Sequence, residues 1–194
     1  IKKMKQEDKV KIRTYVHQKI VDTYKKPDYI SKEIPLEYII KLNISLADFG
    51  SYCPDEEIYD AEFGTVYYNA PEVILIGDST NKVDVWAMGC TLYELLTGNV
   101  LFKPRENKHG NENYNHLLKM CHECGNFNIN FLKKTQKYKS YFDKKGKLNN
   151  LANLKNLGDE KKLDDLNYYW KNIISKCLDL YPHNRYSINQ LNKI

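Results

Sequence analysis

The 194-residue sequence predicts a mainly α-helical fold with one minor β element. Two stretches indicate helices: 81–97, which is apolar on almost every face, and 163–177, where large apolar residues recur at helical spacing. The β element rests on 40–46 alone, where apolar and polar residues alternate with a period of two. A chain of this length can bury a sizeable core, so we expect one compact domain.

The first part of the sequence is less regular. Residues 1–35 are rich in lysine, and their apolar side chains are spaced for a short amphipathic helix that Pro27 would end. The predicted strand follows and ends just before Asp48, which would be presented into a cleft. Residues 51–69 show no regular period and begin with an acidic run; a loop of this length inside a compact domain is usually functional.

The clearest helix runs from Asn81 to Thr97. Asn81 is a suitable cap, Asp84 lies three residues later as in a capping box, and Gly98 would end the helix. Because apolar residues cover almost every face, we expect this helix to be buried on all sides, with the other helices packed around it.

The remainder of the sequence alternates between helices and turns. Residues 103–162 are rich in lysine and asparagine, with a helix predicted at Asn115–Cys124. The apolar spacing of 163–177 predicts the next helix, and Ser187 is placed to cap a last one. Turns are predicted at four glycines: Gly110, Gly125, Gly146 and Gly158.

The net charge of +5 would suit an anionic partner, but it comes almost entirely from lysine. Only Arg13, Arg105 and Arg185 are arginine, whereas nucleic-acid sites favour the bidentate arginine fork, so nucleic-acid binding is not expected. No apolar run approaches the ~20 residues of a membrane-spanning helix, and no secretory signal opens the sequence. We therefore expect no membrane partner.

The cysteines show no even, closely spaced framework, which favours a reduced intracellular setting in the cytoplasm or nucleus. Cys121 and Cys124 have C-x-x-C spacing, but a structural zinc needs four ligands and no second pair follows at finger spacing. We interpret this pair as partly buried thiols on a helix and keep metal binding as the less favoured alternative. The five cysteines are Cys53, Cys90, Cys121, Cys124 and Cys177.

Two short motifs indicate the chemistry of this protein. The first is D-F-G at residues 48–50, formed by Asp48, Phe49 and Gly50. The second is A-P-E at residues 70–72, formed by Ala70, Pro71 and Glu72. A single triplet recurs by chance. In this order, with the first after a predicted strand and the second before an apolar stretch, they bound the activation segment of protein kinases. From about Ile39 onward the sequence therefore resembles eukaryotic-type protein kinases.

The resemblance implies that residues 36–194 form the C-terminal lobe of a kinase domain around a buried central helix, with 1–35 as a lysine-rich spacer or insert. The sequence contains no glycine-rich phosphate loop, no V-A-I-K lysine and no H-R-D catalytic loop. We therefore expect a fragment that lacks the N-terminal lobe and the catalytic loop and is inactive by itself.

The resemblance also implies ATP and Mg²⁺ as cofactors. Asp48 would bind Mg²⁺, Phe49 would set active or inactive geometry by its packing, and Gly50 would let the chain turn. The alternative is that Asp48 is a solvated loop aspartate. Gly64 and Thr65 stand at the spacing seen in serine/threonine kinases, in which the threonine hydroxyl binds the catalytic aspartate and helps to seat the substrate.

Several further residues have structural roles in the resemblance. Glu72 would form a buried ion pair with an arginine late in the lobe, where Arg185 stands, and would hold the activation segment against the lobe. Asp84 would accept hydrogen bonds from the catalytic-loop backbone, cap its helix, or do both. The other structural residues are Ala70, Pro71, Trp86 and Gly89.

Within the kinases, the sequence is most similar to the branch that contains cyclin-dependent, MAP and SR-protein kinases. Tyr67–Leu75 resembles the branch's W-Y-R-A-P-E-V-I-L, and Tyr141–Leu148 resembles the F-F-x-K-K-G-x-L motif of SR-protein kinases. Asn69 replaces the branch's arginine, so a preference for proline after the phosphoacceptor is not implied. SR-protein kinases carry D-L-G, whereas this sequence has D-F-G.

The implied function is transfer of the ATP γ-phosphoryl group to serine or threonine hydroxyls of proteins. The alternative is a pseudokinase or truncated scaffold that binds protein partners without catalysis, and the intact Asp48 and Thr65 favour the enzyme. The acidic run in 51–63 favours a basic or arginine-rich protein substrate, or else is a solvated loop without regulatory meaning.

We predict that activation does not require phosphorylation within 51–63. Phosphorylation orders such loops by adding negative charge that pairs with arginine, and this segment already has fixed charge at Asp55, Glu56, Glu57, Asp60 and Glu62. The full-length kinase, made in cells that lack activating kinases and treated with phosphatase, should keep its activity. Activity that returns only after phosphorylation of Ser51, Tyr52 or Tyr59 would contradict the prediction.

Overall fold

The computed structural model describes residues 64–77, 80–106, 110–149 and 161–193, together with the single residues Ser45 and Ala47. All of them belong to one compact unit, Ser45–Ile194. Their regular secondary structure is almost entirely helical, which confirms the mainly α fold. Within these ranges, the β structure is limited to an isolated antiparallel bridge between Phe142 and Leu148.

The helices follow one another along the chain with short connections. The described α-helices are α1 (Pro71–Leu75), α2 (Lys82–Thr97), α3 (Glu112–Cys124), α4 (Ile129–Leu132), α5 (Tyr138–Tyr141), α6 (Tyr168–Cys177) and α7 (Ile188–Leu191). Short 3₁₀ helices lie at Val66–Tyr68, Lys162–Asp165 and Pro182–Asn184. The helix predicted within 1–35 and most of the strand predicted at 40–46 lie outside the described residues; Ser45 is exposed and has no regular secondary structure.

Helix α2 ends as predicted but begins differently. Gly98 adopts a φ of +71°, and its N–H donates to the Glu94 carbonyl at 2.8 Å, which completes the last turn. The predicted capping box is wrong, because the Asn81 side chain makes no capping hydrogen bond. Its backbone is already helical (φ −52°, ψ −8°), whereas a capping residue is normally extended.

The expectation that α2 is buried on all sides is also wrong. Thr91 is exposed, and Leu95 keeps 55% of its surface accessible. Helix α6 packs against one side of α2 and leaves this other side uncovered. The buried residues of α2 are Val85, Trp86, Gly89, Cys90, Tyr93 and Leu96.

Gly89 permits the close approach of α2 and α6. A β-carbon at this position would lie 2.7 Å from Cβ of Cys177 and 3.0 Å from a methyl group of Leu178. Non-bonded carbon atoms are optimally about 3.5–4.0 Å apart, so any larger residue would push the two helices apart. The predicted structural role of Gly89 therefore has a steric basis.

Helix α3 starts at Glu112, earlier than the predicted Asn115, and ends before Gly125 as predicted. The side chain of Asn111 accepts the Tyr114 N–H at 2.8 Å and so caps the first turn. Asn115 can be buried because its amide group donates to carbonyl oxygens just before the helix, at 2.8 and 3.0 Å.

The stretch Tyr141–Leu148 folds into a tight turn. A carboxylate oxygen of Asp143 accepts two backbone N–H groups within the turn, and Gly146 has a φ of +78°. Phe142 and Leu148 close the turn through the β bridge, and both side chains are buried. The motif therefore reverses the chain and anchors both ends of the turn in the core.

The apolar spacing of 163–177 suggested one helix, but the structure contains two. The 3₁₀ helix Lys162–Asp165 ends before Asn167, whose backbone is extended (φ −61°, ψ 159°). The Asn167 side chain accepts a backbone N–H of α6 at 3.0 Å, so it caps a new helix instead of continuing the first. Ser187 caps α7 as predicted, in a capping box with Gln190.

Glu72 in α1 and Arg185 form a buried, bidentate ion pair. Nη1 of Arg185 lies 2.6 Å from Oε1 of Glu72, and Nη2 lies 2.7 Å from Oε2. Both side chains are fully shielded from solvent. The pair joins residues 113 positions apart and attaches α1 to the loop that follows α6.

Arg185 also binds the backbone on two sides. Nε donates to the Asp179 carbonyl at 2.8 Å, and Nη1 donates to the Lys82 carbonyl at 3.0 Å. The guanidinium group therefore uses four of its five N–H donors. Nε makes one of these hydrogen bonds, Nη1 makes two and Nη2 makes one. The guanidinium group also lies 4.9 Å from the centre of the Trp86 ring. This set of partners is what makes a buried charge tolerable.

We predict that Arg185→Ala lowers the free energy of unfolding by about 3–5 kcal/mol, because Glu72 would be left as an unpaired buried charge. Urea denaturation of the protein would measure this loss. Arg105→Ala, at an exposed arginine, is the matched control and should change stability by less than about 0.5 kcal/mol. The double variant Glu72→Leu/Arg185→Met should lose less than Arg185→Ala alone, and a larger loss would contradict the prediction.

His116 in α3 is a second buried group with an unusual environment. It is fully buried, and its ring lies 5.7 Å from that of Phe102. Among the described residues, neither ring nitrogen has a hydrogen-bond partner. Burial, with a smaller contribution from Lys119, lowers the pKa of His116 to about 3, so the imidazole is neutral at physiological pH.

We predict that His116 makes the protein less stable in mild acid. The unfolded chain binds a proton at this residue near pH 6.5, whereas the folded chain binds it only near its lowered pKa of about 3. Stability is therefore lost as the pH falls below about 6.5, with a contribution that approaches about 1.4 kcal/mol per pH unit. His116→Leu should flatten the pH profile of urea denaturation, and His183→Leu, at an exposed histidine, should not. Equal slopes for wild type and His116→Leu would refute the assignment.

Candidate functional site

Residues 64–72 begin with an exposed turn. Gly64 has a φ of +83°, the left-handed conformation that glycine adopts without strain. The carbonyl of Thr65 accepts the Tyr68 N–H at 2.9 Å, which forms the 3₁₀ helix Val66–Tyr68. The Thr65 side chain makes no capping hydrogen bond, and the residue is exposed.

Two side-chain contacts fix this segment to the lobe. At its end, Glu72 pairs with the buried Arg185. In its middle, the Tyr68 hydroxyl donates to a carboxylate oxygen of Glu94 on α2. That hydrogen bond, together with partial burial, raises the pKa of Tyr68 to about 12, so the hydroxyl remains a proton donor. The segment is therefore held from both α2 and the loop after α6.

The contact between Tyr68 and Glu94 was not anticipated from the sequence. The two residues are 26 positions apart, so no local spacing connects them. The available signal is weak: Glu94 is an acidic residue among the mostly apolar residues in the second half of α2, and such a residue needs a polar partner or solvent.

Ala70 and Pro71 lie at the start of α1, and both are buried. Pro71 occupies the first helical position, where the missing N–H costs no hydrogen bond and the fixed φ suits the helix. Ala70 retains 1% of its surface, so a larger side chain has no room. These placements are compatible with the structural roles predicted for both residues.

Asp84 and Trp86 both belong to the first part of α2 but have different surroundings. Asp84 is exposed in the first turn, where a carboxylate interacts favourably with the helix N-terminus. A catalytic-loop partner for it is not found among the described residues, so that role stays a prediction. Trp86 is fully buried, stacks on Phe102 with 5.6 Å between ring centres, and forms one face of the Arg185 site.

The D-F-G triplet lies outside the described residues, so the placement of Asp48, Phe49 and Gly50 stays a prediction. Within the described ranges, no three or more His, Cys, Asp or Glu side chains are grouped to hold a metal ion. Also within these ranges, no helix combines the length and hydropathy needed to cross a membrane. The described part of the candidate site is therefore the segment from Gly64 to Glu72 and its supports.

The C-x-x-C pair lies on α3, as interpreted from the sequence. Cys121 and Cys124 are partly buried free thiols. Burial raises the pKa of Cys121 to about 12 and raises that of Cys124 further. Both groups are therefore protonated at neutral pH, whereas the thiolate is the form that binds metals and attacks electrophiles.

Curated relatives of the chain are protein kinases. Serine/threonine-protein kinase SRPK of Physarum polycephalum is 30% identical over 141 residues, which cover 73% of this chain and 32% of that protein. SRSF protein kinase 3 of Homo sapiens is 26% identical over 118 residues, 61% of this chain and 21% of that protein. The probable dual specificity protein kinase madd-3 of Caenorhabditis elegans is 37% identical over 102 residues, 53% of this chain and 11% of that protein.

These relatives confirm the resemblance to SR-protein kinases that the motifs indicated. The chain spans about a third or less of the length of each of them. Residues 36–194, more than three quarters of the chain, match the protein kinase domain family. This chain belongs to the protein kinase domain family.

Proposed function

We propose that residues 36–194 form the C-terminal lobe of a protein kinase that transfers the γ-phosphoryl group of ATP to serine or threonine hydroxyls of proteins, with residues 1–35 as a spacer or insert. The observation that carries the proposal is the fixed segment from Gly64 to Glu72, which is attached through Tyr68 and Glu72 while Thr65 stays exposed. Phosphoryl transfer depends chiefly on positioning and electrostatics, so a rigid surface beside the acceptor is what this segment would contribute.

Thr65 is the residue proposed to contact the substrate side of the reaction. Thr65 is exposed, and a threonine hydroxyl can both donate and accept a hydrogen bond, which suits a residue that orients a carboxylate and an acceptor hydroxyl. The left-handed turn at Gly64 directs the chain into this position, and a side chain there would be strained. The attached Tyr68 limits how far Thr65 can move.

ATP and Mg²⁺ are the proposed cofactors. When bound, Mg²⁺ neutralises the negative charge on the phosphates during transfer. The carboxylate of Asp48 is a hard oxygen ligand of the kind that Mg²⁺ prefers, which supports Asp48 as the metal-binding residue. Phe49 is proposed to set the geometry of the triplet by its packing, and Gly50 to provide the turn after it.

The acceptor class and the substrate are the finer parts of the proposal. Gly64 and Thr65 at their spacing before A-P-E favour serine or threonine, as do relatives called serine/threonine-protein kinases. Because one relative is called a dual specificity protein kinase, an assay has to distinguish tyrosine from serine and threonine as the acceptor. The acidic residues between Asp55 and Glu62 favour a basic or arginine-rich substrate. Free, protonated thiols are compatible with an intracellular location.

The alternative is a pseudokinase or truncated scaffold that binds protein partners without catalysis, against which the intact Asp48 and Thr65 argue. An assay of the full-length protein separates the two. Three peptides of one basic sequence, with serine, threonine or tyrosine as the single acceptor, are incubated with labelled ATP. A kinase of the proposed class labels the serine and threonine peptides, whereas a scaffold labels none. The 194-residue chain alone should label none either.

We predict that Asp48→Asn in the full-length protein abolishes phosphoryl transfer but not folding. The variant keeps the shape of the side chain and loses the charge that binds Mg²⁺, so kcat/KM should fall by at least about 100-fold. The thermal unfolding midpoint should stay within about 2 °C of wild type.

Asp165→Asn is the matched control, since Asp165 is an exposed aspartate far along the sequence from the triplet. It should leave kcat/KM unchanged. Near-normal transfer by Asp48→Asn would show that Asp48 is not the metal-binding residue.

A further inference from the structure

Seven exposed lysines lie between the end of α4 and the turn that follows α5. Together with one aspartate, Asp143, they give residues 133–147 a net charge of +6, so the rest of the chain carries −1 of the total of +5. These seven residues are called the lysine surface: Lys133, Lys134, Lys137, Lys139, Lys144, Lys145 and Lys147.

Tertiary packing brings the lysines of two pieces of the chain side by side. The turn after α5 lies against α4, because a β-carbon at Gly146 would be 3.5 Å from a methyl group of Leu132. Lys145 and Lys147 flank Gly146 in the sequence, and Lys133 follows Leu132. The lysines of the turn and those after α4 therefore form one patch instead of a single row along the chain.

Neighbouring carboxylates do not neutralise the lysine surface. None of its seven lysines forms an ion pair with a described residue. Oδ1 of Asp143 accepts the backbone N–H groups of Lys145 and Lys147 at 2.8 and 2.9 Å, so this carboxylate holds the turn together. Like charges gathered in one patch repel one another, and an anionic partner would relieve that repulsion.

The backbone beneath the lysine surface is fixed to the lobe. The N–H groups of Gln136 and Lys137 donate to the carbonyls of Ile76 and Leu75, at 3.2 and 3.1 Å. Phe142, at the start of the turn, is buried. The lysines are therefore held close together before any partner binds, which lowers the entropic cost of binding.

The composition of the surface favours a partner whose anionic groups are many and mobile. The surface has no arginine, the residue whose planar fork suits single phosphates and carboxylates. The aromatic side chains within 126–149 are buried or half-buried, so they offer no platform for stacking nucleic-acid bases. Helices α4 and α5 have four residues each, too few to lie along a duplex groove. The mobile headgroups of an anionic lipid leaflet, in contrast, can gather beneath lysines in any arrangement.

Contact with a leaflet would be electrostatic and peripheral. Apart from the lysines, the exposed residues within 126–149 are asparagine, glutamine, serine and aspartate, so no apolar side chain is presented for insertion. Each lysine near an anionic leaflet strengthens binding about fivefold. The expectation of no membrane partner concerned a spanning helix and a secretory signal, and a peripheral contact of this kind needs neither.

We propose that the lysine surface binds the protein reversibly to membranes rich in anionic lipid, such as phosphatidylserine. The proposal is independent of phosphoryl transfer. Nucleic acid and acidic proteins are the other occupants that the experiment separates.

The experiment measures how the full-length protein, without nucleotide, co-sediments with large vesicles of phosphatidylcholine. The vesicles contain either about 30% phosphatidylserine or none, and binding should require the anionic lipid. Raising the salt concentration from about 0.1 M to about 0.5 M should weaken binding at least about tenfold, because it screens the charges.

Substitutions in the turn assign binding to the lysine surface. Lys144→Gln/Lys145→Gln/Lys147→Gln should lower the partition coefficient at least about tenfold. The backbone N–H groups that bind Asp143 are retained in this variant, and thermal unfolding checks that it is folded. Lys144→Arg/Lys145→Arg/Lys147→Arg keeps the charge and should keep the binding.

The matched control removes three exposed charges outside the surface. Lys103→Gln/Arg105→Gln/Lys193→Gln should change the partition coefficient by less than about threefold, since these residues do not belong to the patch.

Four outcomes would overturn the proposal. One is equal binding to vesicles with and without phosphatidylserine. Another is that the control variant weakens binding as much as the turn variant does. A third is that Lys2→Gln/Lys3→Gln/Lys5→Gln abolishes binding while the turn variant does not, which would assign binding to the lysine-rich residues 1–35. The last is that duplex DNA, single-stranded RNA or polyglutamate binds more tightly than the vesicles at an equal concentration of anionic groups. Since the assay uses no ATP, these results do not depend on whether the protein is an active kinase.

Discussion

The lobe is organised around one buried guanidinium group. Arg185 contacts Glu72 from α1, the Lys82 carbonyl at the start of α2 and the Asp179 carbonyl after α6, and it lies against the Trp86 ring. Removing an arginine from water is costly unless nearly all of its donors are bonded, so these parts of the chain have to be assembled together. The Arg185 contacts contribute geometric specificity more than net stability. They fix the position of α1 on the lobe, and this in turn fixes the end of the segment that precedes α1.

Short-range sequence patterns predicted most helix ends correctly. They were wrong about features that depend on tertiary contacts, such as which faces of a helix are buried. Gly98, Gly125 and Ser187 stop or start helices by backbone conformation and side-chain capping, which act within a few residues. The exposed side of α2 could not be foreseen, because the apolar pattern does not tell which faces find a partner. The break at Asn167 shows that one capping side chain can interrupt a continuous apolar spacing.

The candidate site divides in the same way. The pairing of Glu72 with Arg185 was foreseen through the family resemblance, since no local pattern links residues so far apart. The contact of Tyr68 with Glu94 was missed, because only the tertiary fold brings these two side chains together. The role of Asp48 rests on the sequence alone. Sequence motifs thus identify residues whose role follows from their residue type. Contacts between distant residues depend on tertiary packing and are not visible in the sequence.

The close contact at Gly89 also bears on the thiols beside it. Cys177 faces Gly89 across the junction of α2 and α6, and Cys90 is the next residue on α2; both cysteines are fully or almost fully buried. A thiol reagent can reach them only when the structure opens locally, and burial also raises the pKa of Cys90 to about 12. Cys121, which is partly exposed on α3, is more accessible. The rate at which a reagent labels Cys90 and Cys177, relative to Cys121, therefore measures how often α2 and α6 separate.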